Sequence, residues 1–124
     1  MRSTLASFSI TSMHGVPTLV LAGEIGLESC PELRGVLESI LQEGGCRLLL
    51  DFHAVEYIDG GCIGLMWALF HAFVGTGWMG VVGANANIRR ILSICGFTED
   101  DTFRLFDTRA AVELALAGHA QEIC

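Results

Sequence analysis

From residue 46 onward the sequence alternates three short apolar runs with three stretches of helical character. The first run, residues 46–52, carries Leu48-Leu49-Leu50 unbroken, which suits a central strand covered on both faces. The second spans residues 78–83 and the third residues 103–106. The first intervening helix is expected over residues 62–74, ended by Gly75-Thr76-Gly77. Asn85 caps the next, whose stripe is Ile88, Ile91, Leu92 and Cys95 and whose stop is Gly96. Asp107 or Thr108 caps the last, with Val112, Ala115 and Leu116 inward. Strand and helix in strict alternation imply right-handed crossovers and parallel strands.

The first 45 residues add a hairpin and a helix. Residues 8–13 and 18–25 read as strands around the turn chemistry of His14-Gly15-Val16-Pro17. Ser29 and Glu32 form a capping box with Pro31 in the first turn. Leu33, Val36, Leu37, Ile40 and Leu41 then make one apolar stripe, stopped by Gly44-Gly45. The expectation is one α/β domain over residues 1–124. It holds a mixed sheet of four or five strands packed with about four helices, and a frayed tail over residues 119–124.

Composition excludes several function classes. The formal charge is -7 and all seven basic residues are Arg. An acidic chain without a basic cluster lacks the phosphate contacts that nucleic-acid binding needs. The absence of Lys removes Schiff-base chemistry and a Walker-type lysine. The five cysteines are scattered, with no C-x-x-C pair, so free thiols in a reducing cytoplasm are expected and a zinc cluster is not. The first 15 residues have no secretory apolar segment, and the most apolar run falls short of the ~20 residues that span a bilayer. The chain reads as cytoplasmic, with no direct membrane insertion, metal or cofactor.

The functional expectation centres on residues 55–65, VEYIDGGCIGL, where a strand runs through a short loop into the apolar helix. Such a turn sets backbone N–H groups at a helix N-terminus beside a strand end. Asp59 suits an N-cap. Gly60-Gly61 suits a permissive turn or, against the charge of Asp59, an anion seat. Cys62 suits a small buried hydrophobe, with a redox role as the alternative. Residues 62–74 carry no charge. Leu65, Met66, Leu69 and Phe73 are therefore expected on an apolar contact surface, the alternative being a broad core-facing stripe. His53 and His71 do not make a triad with Cys62 on spacing alone, so no enzyme is expected. Asp51 and Asp59 are read as strand-end and cap residues rather than paired acids, and Arg89-Arg90 as a solvated turn.

Several segments, in order, resemble the STAS domain of bacterial anti-sigma-factor antagonists over about residues 8–117. Leu21-Ala22-Gly23-Glu24-Ile25 resembles its L-x-G-E-L-D strand, with Gly26 in place of the Asp. Ser29-Cys30-Pro31-Glu32-Leu33 resembles T-A-P-x-L. Leu50-Asp51-Phe52 and Val55-Glu56-Tyr57-Ile58-Asp59 resemble L-D-L and V-x-x-I-D. Ile88-Arg89-Arg90-Ile91-Leu92 and Cys95-Gly96-Phe97 resemble the third-helix signature. The family's D-S-S-G-[LI]-G turn is matched by Asp59-Gly60-Gly61-Cys62-Ile63-Gly64.

The resemblance implies a non-enzymatic regulatory interaction module. Its partner would be an anti-sigma factor with a kinase-like ATPase, or another STAS protein. The charge-free helix over residues 62–74 is expected to carry self-association as a homodimer, or partner binding. In the family the Ser after the Asp is phosphorylated by the partner; here that position is Gly60, which has no hydroxyl. Constitutive binding, a scaffold role or a different signal then remain, with Ser93 or Thr76 as substitute acceptors. The implied partner-binding residues are Asp59, Gly60, Gly61, Cys62, Leu65, Met66, Leu69 and Phe73. The alternative is an accessory subunit of a lipid or anion transporter, or a small-ligand-binding regulatory domain.

Overall fold

The structure is a computed structural model that describes residues 5–43, 47–73 and 77–117, the side chain of residue 73 aside. Strand β1 (Ser7–Met13) turns into β2 (Val16–Ile25) through His14 and Gly15, whose φ angles are 51° and 80°. Two left-handed residues in a two-residue loop match the twist of the flanking strands. A single 3-10 turn, Leu27–Ser29, leads into helix α1 (Cys30–Gln42). Then follow β3 (Arg47–Ile58), α2 (Gly60–Phe70) with a 3-10 turn at His71–Phe73, β4 (Trp78–Val82) and α3 (Ala86–Ile94). The described chain closes with a 3-10 turn at Phe97–Glu99, β5 (Phe103–Phe106) and α4 (Arg109–Ala117).

The strands lie in sequence order, β1-β2-β3-β4-β5, with β1 antiparallel to β2 and every later pair parallel. Three successive crossovers step in one direction. With a single handedness they must therefore place α1, α2 and α3 on one face. The cores agree. Leu33, Leu37, Ile63, Met66, Ile88 and Leu92 share a cluster with Leu21, Leu50, Phe52 and Val81 from that face of the sheet. The smaller cluster on the opposite face is Val16, Leu49, Trp78 and Val82 under Val112 and Leu116 of α4. An unreversed strand order has no topological switch point, so the sheet lacks the crevice in which open α/β sheets usually hold a ligand.

The mixed five-stranded sheet and four α-helices agree with the sequence expectation, but several details differ. The stretch expected to be a loop after residue 52 is strand: β3 continues to Ile58 beside β2. Two register shifts let it do so, between Val20 and Ala22 and between Gly23 and Glu24, each admitting an extra residue on β3. Gly23 sits buried at the second shift with φ 88°, a conformation a side chain would strain. That is the physical reason for glycine in Leu21-Ala22-Gly23-Glu24-Ile25.

Ser29 precedes α1 but makes no side-chain cap, because its backbone belongs to the 3-10 turn and is helical. The expected capping box is therefore absent. Asn85 does cap α3, accepting the Ile88 N–H at 2.9 Å, and Gly96 ends that segment with φ 91°. Cys95, expected in the inward stripe, is exposed beyond the end of α3. Thr108, not Asp107, caps α4, while Asp107 pairs with Arg89 at 2.8 Å on the surface. The stops at Gly44-Gly45 and Gly75-Thr76 and the tail over 119–124 fall outside the described residues.

Candidate functional site

Asp59 joins the end of the sheet to α2. Its N–H donates to the Ile25 carbonyl at 2.8 Å, which holds the turn against the last residue of β2. Its extended backbone (φ −70°, ψ 148°) suits an N-cap, and its Oδ2 accepts the Gly61 N–H at 2.7 Å. Its carbonyl takes the N–H groups of Cys62 and Ile63 at 3.0 and 3.1 Å. The Gly61 N–H is thus already bound to a carboxylate, which removes a donor from the anion seat considered above.

The two glycines differ in role. Neither has a positive φ. A Cβ on Gly60 would meet nothing within 4 Å, so this position opens to solvent. A Cβ on Gly61 would come 2.9 Å from Leu27 Cδ1 and 3.0 Å from Asp59 Oδ2. A side chain at 61 would press on the Leu27 side chain and on the carboxylate that caps the helix, whereas one at 60 would not.

Helix α2 does not present the apolar surface expected of it. Cys62, Leu65 and Met66 are buried, along with Ile63 and Phe70. Trp67 and Leu69 are half-buried, and the exposed positions are Gly60, Gly61, Gly64 and Ala68. The Phe73 side chain lies outside the described residues. The cause is topological: α2 is the middle helix of three on one face, so the sheet lies below it and α1 and α3 flank it. A helix enclosed on that many sides is apolar nearly all round for its own core. On the α3 side, Trp67 stands edge-on to Phe97 and to His71, with ring centroids 4.8 and 4.6 Å apart.

On the α1 side, Cys62 is joined to Cys30 by a disulfide, with Cα atoms 5.5 Å apart. This corrects the expectation of free thiols for these two residues; Cys46 and Cys124 are outside the described residues. The bond links the first turns of α1 and α2, where a sequence separation of 32 hid the proximity. Above it runs an open groove lined by Leu27, Cys30, Pro31, Arg34, Gly61 and Leu65.

A separate polar cluster lies on the α4 face. Asp51, read from sequence as a strand-end residue, is buried in the middle of β3. Its Oδ1 accepts the His53 backbone N–H at 3.0 Å and lies 2.8 Å from His53 Nδ1. Its Oδ2 accepts from Arg109 Nε and Nη2 at 3.1 and 2.7 Å. Burial pushes this carboxyl up, but the hydrogen bonds from His53 and Arg109, with the Arg109 charge, outweigh it and hold Asp51 below its ordinary value. Asp51 and Asp59 are in separate networks and do not pair as acids. His53, His71 and Cys62 likewise sit with different partners. Among the described residues, no three His, Cys, Asp or Glu side chains converge to hold a metal ion.

Comparison with known proteins places this arrangement. The chain is 27% identical over 100 residues to the anti-sigma-F factor antagonist RsfB of Mycobacterium tuberculosis, covering 81% of this chain and 80% of that one. Its fold matches the crystal structure of an anti-sigma factor antagonist from Mycobacterium paratuberculosis with TM-score 0.78. That match has 22% identity and covers 91% of this chain and 95% of that one. The phosphorylated form of the Bacillus cell fate determinant SpoIIAA matches with TM-score 0.68 at 13% identity, covering 88% and 99%. Residues 9–106 match the family model described as "Mlab, STAS domain". With that match spanning most of the sheet and its three crossover helices, the chain belongs to the STAS-domain family.

Proposed function

We propose that the protein is a non-enzymatic interaction module of the anti-sigma-factor-antagonist kind. Its contact face is centred on Asp59, Gly60 and Gly61, flanked by Leu27 and by Gly64 and Ala68 of α2. The proposed partner is a cytoplasmic anti-sigma factor with a kinase-like ATPase, with another STAS protein as the second choice. Gly60 carries the reading. It directly follows the cap residue of α2, it faces solvent, and nothing stands within 4 Å of where a side chain would begin. A flat face of glycine and alanine lets a partner's surface approach the helix backbone closely.

Gly60 has no hydroxyl to accept a phosphoryl group, so a phosphate at that residue cannot release the partner. Cys62, Leu65 and Met66 act from beneath, by holding α2 in place. Because Cys62, Leu65 and Met66 are buried, they are not available as the seam of a homodimer.

The test is calorimetric titration of the protein against the ATPase domain of an anti-sigma factor, in the presence of magnesium and ATP. The wild type binds and gains no phosphate at residue 60. Gly60→Glu sets a charge on the face without disturbing the fold and weakens binding at least tenfold. Gly60→Ser binds and becomes a phosphoacceptor. Equal affinity for wild type and Gly60→Glu would sink the assigned face. Binding to a transporter ATPase instead would select the accessory-subunit reading. No helix among the described residues is long and apolar enough to cross a membrane, so that role would run through a partner.

A further inference from the structure

We propose that the Cys30–Cys62 disulfide is a reversible redox site that sets the shape of the contact face. The inference rests on the function proposed above for the meaning of that face, but not for the chemistry of the bond. Cys62 is the third residue of α2, one position after Gly61 and three after the cap Asp59. Cys30 is the first residue of α1, directly after the 3-10 turn that carries Leu27. The bond therefore fastens the turn bearing Leu27 to the first turn of α2, which bears Gly61. Those are the two elements that already meet so closely that a Cβ on Gly61 would stand 2.9 Å from Leu27. Opening the bond frees Leu27, which is 64% exposed, to leave the face it now borders.

The surroundings suit exchange. Cys62 is fully buried, but Cys30 is only partly so and lines the open groove. The groove gives an incoming thiolate its approach to the bond from the Cys30 side, with Cys62 as the leaving group. Arg34 lines the same groove and attracts an anionic sulfur. Cys30 stands in the first turn of α1, where the dipole favours the negative charge that sulfur carries during exchange, while at the start of α2 the Asp59 carboxylate already takes the Gly61 N–H. The Gly26 carbonyl lies 3.6 Å from Cys62 Sγ and 3.9 Å from Cys30 Sγ. It is therefore placed to accept from either thiol after reduction.

The step consumes a dithiol reductant. Its thiolate attacks Cys30 Sγ and the S–S bond breaks. Cys62 leaves as thiolate and takes up a proton. The second thiol of the reductant then attacks the mixed disulfide, releasing Cys30. The reductant ends as a disulfide, oxidised by two electrons, and the protein gains two thiols. A disulfide in a reducing compartment is commonly transient or sensing rather than a permanent staple. With the bond closed the face is held in one shape, so the oxidised form binds the partner more tightly.

The experiment treats the native, folded protein with dithiothreitol, counts thiols by maleimide mass tagging, and follows amide hydrogen exchange in both states. Reduction is expected to add two tags, on Cys30 and Cys62, to speed exchange at Leu27–Ser29 and in the first turn of α2, and to weaken partner affinity about tenfold. Oxidised glutathione should reverse all three. Cys62→Ala should behave as the reduced form, and Cys30→Ala provides the same comparison if burial makes the first variant unfold. No added tags under native conditions, or two added tags with exchange and affinity both unchanged, would overturn the inference. If neither state binds an anti-sigma ATPase, the proposed function fails. The tags and the exchange rates then decide the redox site alone: a local change on reduction upholds it and no change overturns it.

Discussion

Arg109 donates to Asp51 Oδ2 from both Nε and Nη2, at 3.1 and 2.7 Å, across 58 positions of sequence. A cation in the first turn of a helix opposes the helix dipole. Arg109 occupies that place because it closes the hydrogen-bond set of a buried carboxylate whose other oxygen is taken by His53. Beyond this anchor, α4 holds to its face through the buried Val112 and Leu116.

Arg109→Ala should therefore destabilise the protein by about 1–3 kcal/mol, the range for losing a hydrogen bond to a buried charged group. Arg109→Lys should recover part of the loss, since an ammonium cannot reproduce the guanidinium geometry. Urea denaturation of the three proteins checks the order, and hydrogen exchange should show α4 opening first in the alanine variant.

The same carboxylate makes stability depend on acid. Because Asp51 is held below its ordinary value of 3.8 in the fold, the unfolded chain takes up its proton first as pH falls. The stabilisation is complete above the unfolded value and is lost as pH drops through the lower folded value. Denaturant midpoints measured from pH 6 down to pH 2 should hold level and then fall below about pH 4. Asp51→Asn should be less stable at pH 6 and show a shallower acid fall. An identical acid limb in wild type and variant would rule out this assignment.

At the contact loop the two glycines should respond differently. Gly60→Ala meets open space and should change stability by less than about 0.5 kcal/mol. Gly61→Ala displaces the exposed Leu27 side chain and presses on the Asp59 carboxylate, so it should gain less stability than Gly60→Ala, by up to about 1 kcal/mol. Asp59→Ala removes the cap outright and should cost about 1 kcal/mol. Thermal unfolding of the three variants beside wild type measures the ranking.

Reduction should lower global stability as well as alter the face. A cross-link that closes 32 residues of chain restricts the unfolded ensemble by about 3–4 kcal/mol in the chain-entropy account. Urea midpoints with and without dithiothreitol test this. Cys95→Ser, at an exposed free thiol, should leave both midpoints where they are in the wild type.

Much of the fold was legible because its signals are local. Leu48-Leu49-Leu50, the Asn85 cap, the Gly96 stop and the stripe of α1 each depend on neighbours within a few residues, and all appear where they were expected. The Asp59 cap was legible for the same reason, since its acceptor and the Gly61 donor are two positions apart. Ser29 misled because a 3-10 turn placed its backbone in the helical region before a cap could form. β3 outran its expected end because pairing with β2, through two bulges, overrode a stretch without strand alternation.

The sequence by itself determined the alternation of strands and helices, the cap at Asp59 and the glycine that follows it at 60, because residue type and short-range periodicity decide these. Only the tertiary structure decided which side of α2 faces water, that Cys30 meets Cys62, and that Asp51 is shared by His53 and Arg109. Those depend on crossovers that bring segments 32 and 58 residues apart into contact. Burial of α2 between two neighbouring helices makes a charge-free sequence serve the protein's own core, and no pattern within the helix itself distinguishes that use from a surface kept for a partner.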